Sequence, residues 1–486
     1  MHIRNFLILL TTLLCISGLL SAQEWTEQEN WVNLSYEDLQ NALSTGTIVL
    51  NEQDEDGLTP LMLAAGNNKN PDVITALIDA GADVNAQGED GGTPLMLAAG
   101  FNSNRAIITI LINADADIHA RTENGSTPLM VAAGFNSNRE IITTLINAGA
   151  DANVDINAQD EDGWTPLMWA AGNNQNPDVI TTLINAGADI NAQNNRRSTA
   201  LMEAARYNEN PEIITTLLNS DANTNVDINA QDEDGWTPLM WAASNNQNPD
   251  VITTLLNVGA DANVDINAQD EDGVTALILA ARNNSNLEII TALLNAGADA
   301  NVRDEDGWAP LMWAVRRYNG NLEIITALIN VGADVNVQDE DGVTALILAA
   351  GFNSNREIIT TLINADADVN AQSKDGWTPL MRAARYNSNR EIITTLINAG
   401  ADVNAQNTDG RTPLIWAASN NKNPDVITTL LNAGADVKVQ NTDGVTALMF
   451  AARNNQSPDL ITAFINVGAD IHARTEDGRT PLMFAA

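Results

Sequence analysis

One phrase fills this chain. Residues 160–193 read DEDGWTPLMWAAGNNQNPDVITTLINAGADINAQ, and from Asp232 the chain continues DEDGWTPLMWAASNNQNPDVITTLLNVGADA. The glycine of its Asp-Gly turn returns at Gly57, Gly91, Gly125, Gly163, Gly235, Gly273, Gly307, Gly342, Gly376, Gly410, Gly444 and Gly478, with Arg197 in that slot in one copy. The basic step is 34 residues. A unit this short has no interior of its own and must bury its apolar face on a neighbouring copy. The period therefore predicts stacked units rather than separate globules.

Each copy reads as two short antiparallel helices and a projecting finger. Thr165 is placed to cap a first helix, with Pro166 at the position where a missing N–H does no harm. Leu167, Ala170 and Ala171 form its buried face, the alanines being small enough for close helix approach. Asn176 caps a second helix that begins at Pro177, and Asp178 suits the positive end of its dipole. Val179, Ile180, Leu183 and Ile184 give the apolar stripe, and Gly187 ends the helix in the left-handed position. The remainder, ADINAQDEDG, alternates and then turns, which predicts a β-hairpin-like finger leading to the next copy.

These residues, D-x-x-G-x-T-P-L-x-x-A-A followed by I-x-x-L-[LI]-x-x-G-A-D-[VI]-N-A, resemble the ankyrin repeat from about Asn51 to Ala486. The resemblance implies an all-α, curved ankyrin-repeat solenoid of about 12 full units and a partial last one, on the order of 100 Å long. Fingers and first helices would line its concave side, and second helices its back. The chain departs from the family in several places. Methionine (Met62, Met96, Met130, Met168 and their counterparts) or isoleucine (Ile278, Ile347, Ile415) stands after T-P-L, where the family has histidine. Stacking held by dispersion more than by a side-chain network is the expectation from that change. The linker between the helices is one residue longer than usual. Insertions at Ala152–Asp155, Asn223–Val226 and Ala262–Asp265 lengthen three fingers, and Asp115, Asp221 and Asp366 replace the cap glycine.

The ends differ from the array. Arg4, the apolar run Phe6–Leu20 and the small residues Ser21 and Ala22 read as a secretory signal peptide over 1–22, cleaved near Ala22. That places the mature chain outside the cytoplasm, in a periplasm or beyond. Residues 23–51, containing Trp25 and SYEDLQNAL, read as a capping segment, and 52–486 as the array. At the far end TPLMFAA would leave Leu482 and Phe484 partly open.

Composition narrows function. Against 63 Asp and Glu stand 23 Lys and Arg, a formal charge of −40, which disfavours nucleic acid and anionic lipid as partners. The single cysteine, Cys15, lies inside the leader, leaving neither an intrachain disulfide nor a thiol nucleophile beyond it. His119 and His472 both sit in D-I-H-A-R, in a finger slot otherwise held by asparagine, and read as loop scaffold. No G-x-S-x-G, H-E-x-x-H or P-loop pattern occurs, so no catalysis and no cofactor is expected.

Two surface features remain. Asp-Glu-Asp precedes the turn glycine at 54–56, 160–162, 232–234, 270–272, 304–306 and 339–341. Stacking would align these as an acidic ridge, with Glu161, Asp162, Glu233 and Asp234 among the contact candidates for basic segments. Turn chemistry is the stronger reading of any single triplet, and a calcium loop pattern is absent. The aromatic residues cluster as well. Trp164, Trp236, Trp308 and Trp377 follow the turn glycine, while Trp169, Trp241, Trp313 and Trp416 lie mid-helix. Phe101, Phe135, Tyr207, Phe352 and Tyr386 follow the last alanine of the first helix. The resemblance makes the turn and helix-end sets partner-contact positions and the mid-helix set packing. For the turn tryptophans binding and mutual packing both stand. Arg206, Arg282, Arg385 and Arg453 end first helices, where they complement the dipole. The expectation is a monomeric, non-catalytic, exported scaffold that grips a protein or peptide. A structural envelope or matrix spacer with weak divalent-cation binding along its acidic fingers is the alternative.

Overall fold

The computed structural model describes residues 31–148, 154–219, 226–258, 263–284, 286–316, 320–352, 354–421, 423–454 and 458–485. The leader, Trp25, Asp221 and half of the residues of the three finger insertions lie outside the described residues. Twenty-six helices run from Tyr36–Thr45 to Pro481–Ala485, and among the described residues there is no strand. The fold is an all-α solenoid of stacked helical pairs. It divides into two compact units. One runs to Ala204 and takes in Thr216–Val226, and the other comprises Ala205–Thr215 and Asp227–Ala486.

In the first unit the first helices Pro60–Asn67, Pro94–Phe101, Pro128–Phe135 and Pro166–Asn173 pack in a row. The second helices Pro71–Asp79, Arg105–Asn113, Arg139–Ala148 and Pro177–Asn185 form a parallel row behind them. The second unit repeats this with helices from Pro238–Asn245 to Pro481–Ala485. Helix ends follow the sequence signals. Thr165 Oγ1 accepts the Met168 N–H, Asn176 Oδ1 accepts the Asp178 N–H, and Gly187 ends its helix at φ 97°. Asp115 and Asp366 take the same left-handed conformation at φ 63° and 64° without glycine's freedom. Leu167, Met168, Ala170, Ala171, Val179, Ile180 and Leu183 are all buried between the rows. Alanine pairs let adjacent first helices approach, and Gly134 lies close enough that an added Cβ would meet the Trp169 ring at 3.3 Å.

The array begins on the helix Tyr36–Thr45, capped by Ser35 and closed by Gly46 at φ 69°. Trp31, Leu34, Leu39 and Ile48 are buried beneath it. In the last helix Leu482 and Met483 are exposed and Phe484 is half-buried.

The expectation that dispersion stands in for a side-chain network is incomplete. The methionines are buried, but asparagines of the interhelix linker carry a hydrogen-bond network from copy to copy. Asn136 Nδ2 donates to Ala99 O at 2.8 Å and Asn102 O at 2.9 Å, while its Oδ1 accepts the Asn138 N–H at 2.9 Å. Asn68, Asn102 and Asn174 do the same in the first unit. Asn246, Asn284 and Asn421 do so in the second. Each amide thus satisfies carbonyls that the C-terminus of the preceding first helix leaves without a partner. A second asparagine row runs through the fingers. Asn85 donates to Asp115 O and accepts from Asp117 N, and Asn370 donates to Gly400 O and accepts from Asp402 N. The longer linker supplies the buried row, so the polar network moved out of the histidine slot and was not lost. In three copies the methionine sulfur still lies 3.3–3.4 Å from the N-cap N–H.

The fingers close as short hairpin-like turns, with no strand among the described residues. Asp160 N donates to Trp164 O and Gly163 N donates to Asp160 O, and the ladder goes no further. Among the described residues the one β-bridge is Gln440 with Thr446. The residues before the turn bond sideways to the next copy, as the asparagine row shows, which leaves no second strand to pair with.

Candidate functional site

Each finger is built around its first acid. Asp160 Oδ1 accepts the N–H groups of Asp162 and Trp164, and its Oδ2 accepts the Trp169 indole N–H at 3.1 Å. Asp232 and Asp304 hold Trp241 and Trp313 in the same way, each at 2.8 Å. Burial raises the carboxyl pKa of Asp54, Asp160 and Asp270, and the backbone N–H bonds oppose that rise only in part. The first acid of the triplet is therefore a structural bolt. Glu161, Asp162, Glu233 and Asp234 remain exposed at the tip. Among the described residues no group of three or more His, Cys, Asp or Glu side chains is placed to hold a metal ion. His119 and His472 are exposed in their fingers, and their N–H groups bond to Asp117 and Asp470 as asparagine N–H groups do elsewhere.

Backbone bonds join neighbouring tips at many of the steps. Glu161 N donates to Asn124 O, Asn195 N to Asp162 O, Glu305 N to Asp272 O and Lys374 N to Asp341 O. This explains the turn glycine twice over. Gly163 has φ 82°, and a Cβ there would lie 2.7 Å from Asn195 N. Arg197, whose φ is 60°, adopts the same conformation with a side chain attached.

The aromatic candidates fall into two kinds. Trp164, Trp236 and Trp308 are half-buried and pack on the mid-helix tryptophans of their own copies, with ring centroids 5.6, 4.5 and 4.7 Å apart. Trp236 also donates its indole N–H to Asp270 of the next finger. Trp377 is buried, at 9% exposure, and stacks on Trp416 of the following copy. For Trp377 the packing reading holds, and its ring is no contact surface. Phe101 and Phe135 are half-buried and stack at 6.1 Å, with Trp169 against Phe135. Tyr207, Phe352 and Tyr386 are different, with 51, 57 and 47% of their surface exposed. Each is nevertheless held. Arg206 covers Tyr207 at 4.7 Å, Phe352 stacks on Tyr386 at 6.3 Å, and Arg385 lies 4.7 Å from the Tyr386 ring.

The arginines are the part that sequence reasoning missed. Arg206 lies 3.9 Å over Trp241 and Arg282 4.7 Å over Trp313, contacts well within cation–π range. Arg316 faces Trp308, while Arg382, Arg385 and Arg411 surround Trp377 and Trp416. The helix dipole accounts for Arg206, Arg282, Arg316 and Arg385 in last turns, but not for Arg382 within its helix or Arg411 before Thr412, and the indole faces fix the direction of all six. For Arg206, Arg282 and Arg385 the signal lay in a mid-helix tryptophan one copy further on.

A family model described as ankyrin repeats (3 copies) matches residues 34–122, 99–194, 173–266, 262–339, 317–407, 346–441 and 414–486, in overlapping order along the chain. No curated protein matches it.

Proposed function

Because the chain belongs to the ankyrin-repeat family, whose members are protein–protein interaction scaffolds, we propose that it is an exported, non-catalytic and monomeric scaffold. It grips a protein or peptide across its first-helix and turn surface. The observation that carries this reading is the set of exposed yet immobilised rings, Tyr207, Phe352 and Tyr386. An exposed ring already fixed by a neighbour loses little entropy on binding, which is what a hot-spot residue needs. The exposed Glu161, Asp162, Glu233 and Asp234 lend the finger tips an acidic field that steers basic segments of a partner toward the array.

Cross-linked capture from native envelope and secretome extracts tests it, with wild-type protein beside a Tyr207→Ser, Phe352→Ser, Tyr386→Ser variant. These exposed sites leave the fold intact, so unchanged capture by the variant refutes the reading. Export is checked by N-terminal sequencing of the mature protein, which should begin at Gln23. A cytoplasmic product retaining the leader refutes it.

A further inference from the structure

Negative charge thins toward the end of the second unit. Fingers 373–375, 407–409 and 441–443 read Ser-Lys-Asp, Asn-Thr-Asp and Asn-Thr-Asp where six other fingers read Asp-Glu-Asp. Over the same stretch Arg382 and Arg385 lie on one first helix, and Arg411 takes the slot that Trp377 holds one copy earlier. The three guanidinium groups close on one stacked pair. Trp377 and Trp416 are 4.5 Å apart with 28° between their planes. Arg382 lies 4.6 Å from the Trp377 ring, while Arg385 and Arg411 lie 4.4 and 4.5 Å from Trp416.

The Asp375 carboxylate favours the charged form of Arg382 but forms no ion pair with it. Among the described residues none of the three arginines pairs with a carboxylate, and the Nε–H groups of all three are buried without an acceptor. The reason lies in the finger. Asp160, Asp232 and Asp304 each present a carboxylate to the mid-helix tryptophan, but Asn407 Oδ1 accepts the Arg411 N–H and its Nδ2 donates to Asp409. The Trp416 indole N–H, in a residue only 5% exposed, is left without a partner. Burial lowers the Arg382 pKa and the neighbouring Arg385 charge adds to that, while Tyr386 and the Asp375 charge oppose it in part. A bound anion would relieve both effects.

We propose that Arg382, Arg385 and Arg411, braced on Trp377 and Trp416, form a recognition site for an Asp/Glu-rich segment of a partner protein. Planar guanidinium groups fixed on aromatic faces are pre-organised for carboxylates, which they bind in bidentate fashion. Three of them from two successive copies suit a segment bearing several carboxylates better than one small anion. A polyanion such as nucleic acid is opposed by the formal charge of −40, whereas a short segment meets the local field within a screening length. The exposed Tyr386 ring borders the cluster and provides an apolar contact beside it. This deepens the binding reading for one stretch of the array and rests on it.

The test is fluorescence anisotropy of a labelled peptide of alternating Glu, Asp and Gly, with its Gln/Asn counterpart as control, at roughly 50 mM salt. Wild-type protein should bind the acidic peptide and not the neutral one. Arg382→Gln, Arg385→Gln, Arg411→Gln should weaken binding by about tenfold or more. The same charge change placed on exposed second-helix positions, Arg105→Gln, Arg139→Gln, Arg356→Gln, should leave it unchanged. Asn407→Asp guards against misfolding, because it supplies the missing carboxylate, keeps the fold and should still weaken the peptide by about tenfold. Equal binding by wild type, the patch variant and Asn407→Asp overturns the proposal, as does no binding at all by wild type. Displacement by millimolar inorganic phosphate as effective as by peptide would show a simple anion site, and self-association lost in the patch variant would show a second copy as occupant. Either of those also overturns it. A failure here beside Tyr207-, Phe352- and Tyr386-dependent capture would discard this inference and leave the binding reading standing.

Discussion

Replacing Asn136 by alanine tests the account of how copies hold together. The side chain is 5% exposed and makes three hydrogen bonds of 2.8–2.9 Å, two of them to carbonyls of the preceding copy. Each intramolecular hydrogen bond contributes about 1 kcal/mol net, and each buried group left without its partner adds a desolvation penalty of about 1–3 kcal/mol. Ala99 O is a helix-end carbonyl with no other way to be satisfied. Some relaxation and water entry will recover part of the loss, so about 3 kcal/mol is expected for Asn136→Ala. In a long array one unfolding midpoint does not report a local change, and hydrogen exchange resolved by segment is the suitable assay. The amides of Pro94–Phe101 and Pro128–Phe135 should exchange faster by about 100-fold, since about 1.4 kcal/mol corresponds to tenfold. Asn173→Ala, an exposed neighbour whose amide bonds only within its own helix, should change exchange by less than about threefold. If Asn136→Ala behaved like Asn173→Ala, the buried asparagine row would not carry the stack, and dispersion between alanine and methionine faces would be sufficient after all.

Other outcomes follow from the fingers. Gly163→Ala meets both a left-handed φ of 82° and the Asn195 N atom at 2.7 Å, while Gly187→Ala meets only φ 97° with open space around it. The first should lose about 3 kcal/mol and the second about 1 kcal/mol, and similar losses in urea unfolding would remove the role of the next finger. Arg197→Gly should stabilise by about 1 kcal/mol by relieving a left-handed residue at φ 60°, and a loss of stability would refute this. The Asp160 pKa is raised by burial above 3.8, so through the interval from 3.8 upward the folded chain holds more proton than the unfolded one. Its contribution is thus fully present at low pH and declines as pH rises through that interval. The stability of wild type relative to Asp160→Asn should shrink from the acid side toward neutrality, and a gap that widens would reverse the sign. Asn407→Asp should stabilise by about 0.5–1 kcal/mol by giving Trp416 its acceptor, and a lower thermal midpoint would show the indole needs none.

The regular part of the molecule was legible because its signals are local. Thr165 before Pro166, Asn176 before Pro177 and Gly187 after the apolar stripe fix helix ends through bonds made within a few residues, and they appear where the sequence places them. The burial of Leu167, Ala170 and Val179 follows from periodicity alone. The hairpin-like turn of the finger was legible too, but not that the asparagines before it bond to another copy about 30 residues away.

The repeated phrase by itself determined that this chain stacks helical pairs, where each helix starts and stops, and that its turn needs a left-handed residue. Those properties depend on backbone conformation and on neighbours within one copy. Only the tertiary structure decided which polar groups meet across copies. Asn136 proves to be a buried bridge; Trp377, which the sequence leaves open to binding or packing, is buried; Arg411 lies on the Trp416 indole. The physical reason is that packing sets a side chain's partner through the twist and spacing of successive copies. The 34-residue step fixes how often a residue recurs but does not contain what it faces.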